Sequence, residues 1–131
     1  MAGLANYRVE AILRAENYER AAKFYTEVLG LSVVRTEGPT AEGRFEAGSG
    51  TAVGIYERPG MPAPQNTALG FTVPAEEFDR VMADLSGKGV VFEEYDIPEI
   101  GLKTVNGVVE MNGSKAAWFK DTEGNIIVLG A

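Results

Sequence analysis

"WFKDTEGNIIVLG" (residues 118–130) reads as a strand, a tight turn at Gly124 and a second strand without a charged residue. An earlier stretch, "RFEAGSGTAVGIY" (residues 44–56), lies over it without a gap, matching Phe45 to Phe119, Gly50 to Gly124 and Ile55 to Leu129. Self-similarity of this kind marks a duplicated structural unit. The closing hairpin is then the second copy of one that has already ended at Glu57.

Working outward from the first copy, "YRVEAILRA" (7–15) is strand-like. Asn17 offers an N-cap, and Tyr18, Ala21, Ala22, Tyr25 and Val28 recur at helical spacing up to a stop at Gly30. "LSVVRTE" (31–37) predicts a strand, and a hairpin follows, turning at 47–50. "RPGMPAPQN" (58–66) carries three Pro and one Gly and reads as a linker. The pattern then restarts. "TALGFTV" (67–73) is a strand, and Pro74 suits the first turn of a helix. Phe78, Val81, Met82 and Leu85 form its stripe, Gly87 and Gly89 end it, and "VVFEEYDI" (90–97) predicts a strand. The order strand–helix–strand–strand–strand occurs twice. It gives one domain over 1–131, with module one at 7–57, linker 58–66 and module two at 67–131. Only the second copy carries the extra segment 98–115, whose Asn106-Gly107 and Asn112-Gly113 pairs are tight-turn signals. It reads as a loop with a short strand flanking a pocket.

Composition narrows the chemistry. The 131 residues are 45% hydrophobic and 24% charged, as in an ordinary globular domain. Nineteen acidic residues against 12 basic ones give a net charge of −7, which argues against a nucleic-acid partner. No apolar run approaches the roughly 20 residues that span a bilayer, so no membrane partner is expected. No basic-then-apolar leader is visible, and the expected location is cytoplasmic. The chain has no Cys and no His. It therefore has no thiolate site, no imidazole base and no iron site of two His and one carboxylate. A metal would have only oxygen ligands, which suit Mg, Mn or Ca.

Two stretches, "AAKFYTEVLGLSVV" (21–34) and "WFKDTEGNIIVL" (118–129), resemble the vicinal oxygen chelate superfamily, the glyoxalase, bleomycin-resistance and extradiol dioxygenase fold. The first is similar to the family helix, with its Phe-Tyr pair and Leu-Gly stop. The second is similar to the closing turn, with Thr122 and Glu123 where the family usually carries Pro and Asp. The likeness covers nearly the whole chain. It implies an α+β fold of two tandem βαβββ modules, each a curled mixed sheet forming an open bay with a helix on its outer face. It also implies a homodimer, since members with this short chain commonly build each bay with a second subunit.

Metal-dependent members place one ligand on the first and last strand of each module. By position these are Glu10, Gly54, Ala68 and Val128, only one of which offers an oxygen ligand. The resemblance thus implies no cofactor or, at most, a weakly held divalent metal near Glu10. Strand alternation then sets out a bay. It contains Glu10, Ile12 and Arg14, then Ala52, Gly54 and Tyr56, then Ala68, Gly70 and Thr72, then Ile126 and Val128, with Trp118 joining them. Small residues supply space, and Trp118 and Tyr56 supply walls. Each residue has a plainer reading: Glu10 paired with Arg14 or solvated, Trp118 filling core, Gly54 and Gly70 as strand kinks. Glu93, Glu94 and Glu110 read as surface charge. The expected function is metal-free binding of a small, mainly apolar or aromatic molecule. The alternative is a lyase, isomerase or related enzyme using Glu10 as general base or as part of an oxygen-ligand site with help from Glu57 or Glu110. A third reading is a domain kept for association.

Overall fold

A computed structural model describes residues 3–36 and 41–131. Residues 1 and 2 of the expected domain, and Glu37 of the expected 31–37 strand, lie outside the described residues.

Strand β1 (Ala11–Ala15) starts later than the predicted 7–15 strand. Its partner β4 (Ala52–Glu57) begins just after a turn, and the parallel pairing opens at Ala11↔Val53. Residues 7–10 run past the end of that partner and have no ladder to join. Helix α1 (Tyr18–Lys23) is capped as expected, the Asn17 side chain accepting the Arg20 N–H. It continues as a π-helical turn over Phe24–Val28, closed by Leu29 N–H on Phe24 O, and Gly30 ends it at φ +76°. Strands β2 (Ser32–Thr36) and β3 (Glu42–Glu46) complete a sheet in the order β1-β4-β3-β2.

The second module repeats this plan. Strand β5 (Thr67–Thr72) leads through a 3₁₀ turn, Ala75–Glu77, into α2 (Phe78–Gly87). Pro74 stands just before that turn rather than within the first turn of a helix. The predicted 90–97 strand is not continuous. Phe92 bridges Phe119, and only β6 (Asp96–Ile97) is a strand, pairing with β7 (Leu102–Lys103). Pro98, which lacks an N–H to pair, ends β6. The fourth strand of sheet two comes instead from the extra segment. Strand β8 (Val109–Met111) pairs with β9 (Ser114–Lys120) across the two residues Asn112 and Gly113, both at positive φ. Such a turn matches strand twist and pins a local pairing at little entropic cost. With β10 (Ile126–Gly130) the order is β5-β10-β9-β8.

The duplication is visible in the ladders themselves. Phe45↔Val53 and Arg44↔Gly54 in module one recur as Phe119↔Ile127 and Trp118↔Val128 in module two. Likewise Ile12↔Gly54 recurs as Gly70↔Val128. Both sheets stay open and each carries one helix.

A single buried cluster spans the modules: Leu13, Tyr18, Tyr25, Phe45 and Ile55 pack with Phe119 and Ile127. The Phe45 ring lies 6.2 Å from that of Tyr18 and 5.7 Å from that of Tyr25. A Cβ at Gly43 would collide with the Tyr18 hydroxyl, so the sheet admits this ring only over a glycine. The modules are joined by the 121–125 turn. Tyr25 Oη donates to Asp121 (2.7 Å), Asn125 Nδ2 donates to Arg14 O (3.1 Å), and Glu123 accepts from Asn17 N–H (2.9 Å) and Arg20 Nε (2.8 Å).

Candidate functional site

With Phe45, Val53 and Leu13 in the core, alternation turns Arg44, Gly54 and Ile12 to the opposite, open face. The expected bay residues do not converge there. Glu10 is paired with Arg44 (2.8 Å) and Arg8 (2.6 Å), not with Arg14. The hydrogen bond from Arg44 holds its carboxyl below the usual carboxylate range, which makes it a poor proton acceptor. Arg14 is buried, at 8% exposure, and its Nη2 donates to Glu123 O (2.6 Å). Ile12 covers Gly54, with its Cγ1 3.5 Å from where a Cβ would stand. Val128 fills the space beside Gly70, at 2.7 Å. Tyr56 is half-buried on β4. Ala68 falls at a register shift in the β5–β10 pairing and packs against the core cluster.

Of the predicted residues, Ala52, Gly70 and Thr72 line one cleft beside the 47–51 turn, and Trp118 lines another. It lies in a space of about 620 Å³ with Ile126 beside it. Tyr95 meets it edge-on, ring centroids 5.6 Å apart at 73°. One wall is the linker, Ala63 to Asn66; the other is Tyr95, Ile97 and Leu102 around the β6–β7 hairpin. Glu93 and Lys120 stand at the rim, 3.5 Å apart.

Local chemistry fixes both walls. The linker is anchored by Arg58 N–H on Ala15 O (2.8 Å) and Gly60 N–H on Glu16 (2.8 Å). It then packs Ala63 onto Gly124, where a Cβ would stand 2.9 Å from that of Ala63 and where φ is +86°. Opposite, Thr104 holds Tyr95 at both backbone groups, donating N–H to its O (2.9 Å) and accepting its N–H at Oγ1 (2.8 Å). Glu94 accepts the Gly107 N–H of the Asn106-Gly107 turn (2.6 Å). Burial raises the Tyr95 phenol above its ordinary value.

The residues present do not fit the divalent metal that the fold implies. Of the four positions only Glu10 has an oxygen ligand, and two guanidiniums hold it. Among the described residues no three acidic side chains stand close enough to share an ion. Protein sites for hard cations use several oxygens at once.

Reading the sequence alone missed Tyr95, Ile97, Leu102, Glu93 and Lys120 as cleft residues. The one signal was the extra segment with its two Asn-Gly turns, which does flank a pocket. The role of the linker as a wall had no signal.

A sequence model of the Glyoxalase/Bleomycin resistance protein/Dioxygenase superfamily matches residues 8–129. Among solved structures, a glyoxalase family protein from Enterococcus faecalis superimposes at TM-score 0.72, with 22% identity over 98% of this chain and 100% of that one. A glyoxylase/bleomycin resistance protein/dioxygenase domain from Frankia sp. EAN1pec gives 0.70, with 17% identity over 99% and 97%. The fosfomycin resistance protein FosX from Listeria monocytogenes, solved with Mn(II) and sulfate, gives 0.66, with 13% identity over 96% and 92%. No curated protein matches the chain.

Proposed function

The chain belongs to the glyoxalase/bleomycin resistance protein/dioxygenase superfamily, and within it we propose that this protein binds a small, mainly apolar or aromatic molecule without a complete metal site. The observation that carries this is the Trp118–Tyr95 pair in a walled cleft of about 620 Å³. Small-molecule pockets of about 300–1,000 Å³ are mostly apolar with a few polar groups. Here Ile97, Leu102 and Ile126 supply the apolar surface, and Asn66, Glu93 and Lys120 the polar groups. A planar ring stacking on Trp118 gains on the order of 1 kcal/mol beyond its area burial. An enzymatic role for Glu10 would need it to take a proton, and its contact with Arg44 works against that.

The protein acts as a homodimer in this reading. Ile12, Val34 and Met111 are 72%, 54% and 49% exposed. Coverage of these side chains by a second copy is what motivates the dimer, with two-fold symmetry as the default.

The test is a titration of Trp118 fluorescence with planar aromatic compounds. Because Trp118 is the only Trp, the signal reports one position. Saturable quenching that Leu102→Glu abolishes is the expected result. Quenching that Leu102→Glu leaves unchanged counts against this cleft.

A further inference from the structure

The two hairpin turns close alike but differ within: Ser49 is left-handed at φ +56° and its counterpart Glu123 is not, and their side chains differ in size. Ala47 N–H donates to Thr51 O and Asp121 N–H to Asn125 O, both at 2.9 Å, and Gly50 and Gly124 share positive φ. The 121–125 turn packs against the edge of β1 and fills that junction with side chains. Asn125 Nδ2 donates to Arg14 O, Arg14 reaches Glu123 O, and Glu123 caps α1. At the equivalent junction the 47–51 turn faces the edge of β5. There Thr72 replaces Arg14, Gly70 replaces Ile12, and Ala47, Gly48, Ser49 and Thr51 replace Asp121, Thr122, Glu123 and Asn125. Five larger residues have become smaller ones, and Thr51 in place of Asn125 loses the side-chain amide at nearly unchanged volume. The outcome is a cleft of about 460 Å³ between that turn, the start of β1 and residues 69–72 of β5.

This cleft opens on the outer edge of β5, to which no strand pairs among the described residues. Val73 N–H donates to Gly130 O, which sets the phase of the parallel ladder. Leu69, Phe71 and Val73 direct their backbone groups to β10, and Gly70 and Thr72 direct theirs outward. In β1 the same phase holds. Arg58 N–H serves Ala15 O within the sheet, and the outward Arg14 O is served by the Asn125 amide. Thr72 O is the equivalent outward carbonyl, and Thr51 at the matching place has no amide to offer. The cleft is lined by Val9, Leu69, Phe71 and Val53 with hydroxyls at Ser49 and Thr72 and, among the described residues, by no charged side chain.

We propose that this second cleft binds a small uncharged molecule with an apolar body and an amide N–H, the N–H pairing with the outward carbonyl of β5 as Asn125 pairs with that of β1. The apolar body lies on Leu69 and Phe71. The absence of lining charge disfavours ionised ligands, whose desolvation nothing there would offset.

The test uses N-acetyl-L-leucinamide as probe and ¹⁵N-labelled protein. The expected result is saturable shifts of the Gly70, Thr72 and Thr51 amides, with the Trp118 indole resonance unmoved. N-acetyl-L-leucine, which carries a carboxylate, is expected to bind at least about five-fold more weakly. The double variant Ser49→Glu/Thr72→Arg, made at two exposed positions, restores the bulk of the twin and should abolish the shifts. Thr51→Asn alone supplies the missing side-chain amide and should weaken the probe. The proposal is overturned by no shift at millimolar probe, by shifts that persist in the filled variant, or by equal binding of the carboxylate. A free protein in which a second copy already covers these amides overturns it as well. Binding at Trp118 is read separately, so either site can fail without the other.

Discussion

Val128 stands over Gly70: a Cβ built on that glycine would lie 2.7 Å from Val128 Cγ1. In module one the sizes are reversed, Ile12 lying over Gly54 with its Cγ1 at an ordinary contact distance of 3.5 Å from where a Cβ would stand. The same two ladder positions carry glycine–valine in one copy and isoleucine–glycine in the other. The bay positions facing Gly54 and Gly70 are filled by these side chains, and the open space lies at Trp118 and in the cleft beside the 47–51 turn.

This relationship separates two similar substitutions. Gly70→Ala forces Val128 to move and is expected to destabilise by about 1–3 kcal/mol, the usual range for overpacking. Gly54→Ala meets only ordinary contact and should stay within about 0.5 kcal/mol of the parent. Urea midpoints measure both. Equal midpoints for the two variants would contradict the packing described, and Gly70→Ala/Val128→Ala should recover the loss.

Acid should loosen the junction between modules. Burial raises the Glu123 carboxyl, but hydrogen bonds from Arg20, Thr122 and the Asn17 N–H outweigh it and hold the group at about 2, below its ordinary 4.5. The folded value lies below the unfolded one, so the stabilisation is complete above about 4.5 and is lost as pH falls towards 2. Urea midpoints should drop through that window, and Glu123→Gln should flatten the drop while lowering stability at neutral pH. A variant with the same pH slope as the parent would show that another carboxylate governs it.

Divalent metal should bind weakly or not at all. Untagged protein dialysed after exposure to Mn²⁺ or Zn²⁺ is expected to retain far less than one ion per chain by elemental analysis. Stoichiometric retention would mean that Glu10 leaves Arg44 to ligate.

Light scattering should give about twice the 14.0 kDa chain mass at high micromolar protein. Ile12→Glu, at an exposed position, should shift it to the monomer. A monomeric parent would remove the dimer from the account.

The fold was legible because duplication repeats a ladder. The overlay of residues 44–56 on 118–130 is the same set of pairs found in the two antiparallel hairpins. The capping by Asn17 and the stop at Gly30 were equally local signals. The site was less legible for three physical reasons. The register shift at Ile126/Ile127 moves Ala68 off the alternation that predicted its face. Arg14 is drawn to Glu123 O, a partner in the other module that spacing cannot reveal. Tyr95 and Leu102 reach the cleft because Pro98 ends β6 and β8 takes the place beside β9, a competition between strands. Trp118 was readable because its position depends only on the hairpin register.

The most direct test of ligand binding in the Trp118 cleft is calorimetry of one planar aromatic ligand, found by fluorescence, with wild-type protein and with Trp118→Ala. The account predicts one ligand per chain and a roughly five-fold or greater loss of affinity in the variant, the equivalent of about 1 kcal/mol. An unchanged dissociation constant in Trp118→Ala, with the fold intact by circular dichroism, would contradict it.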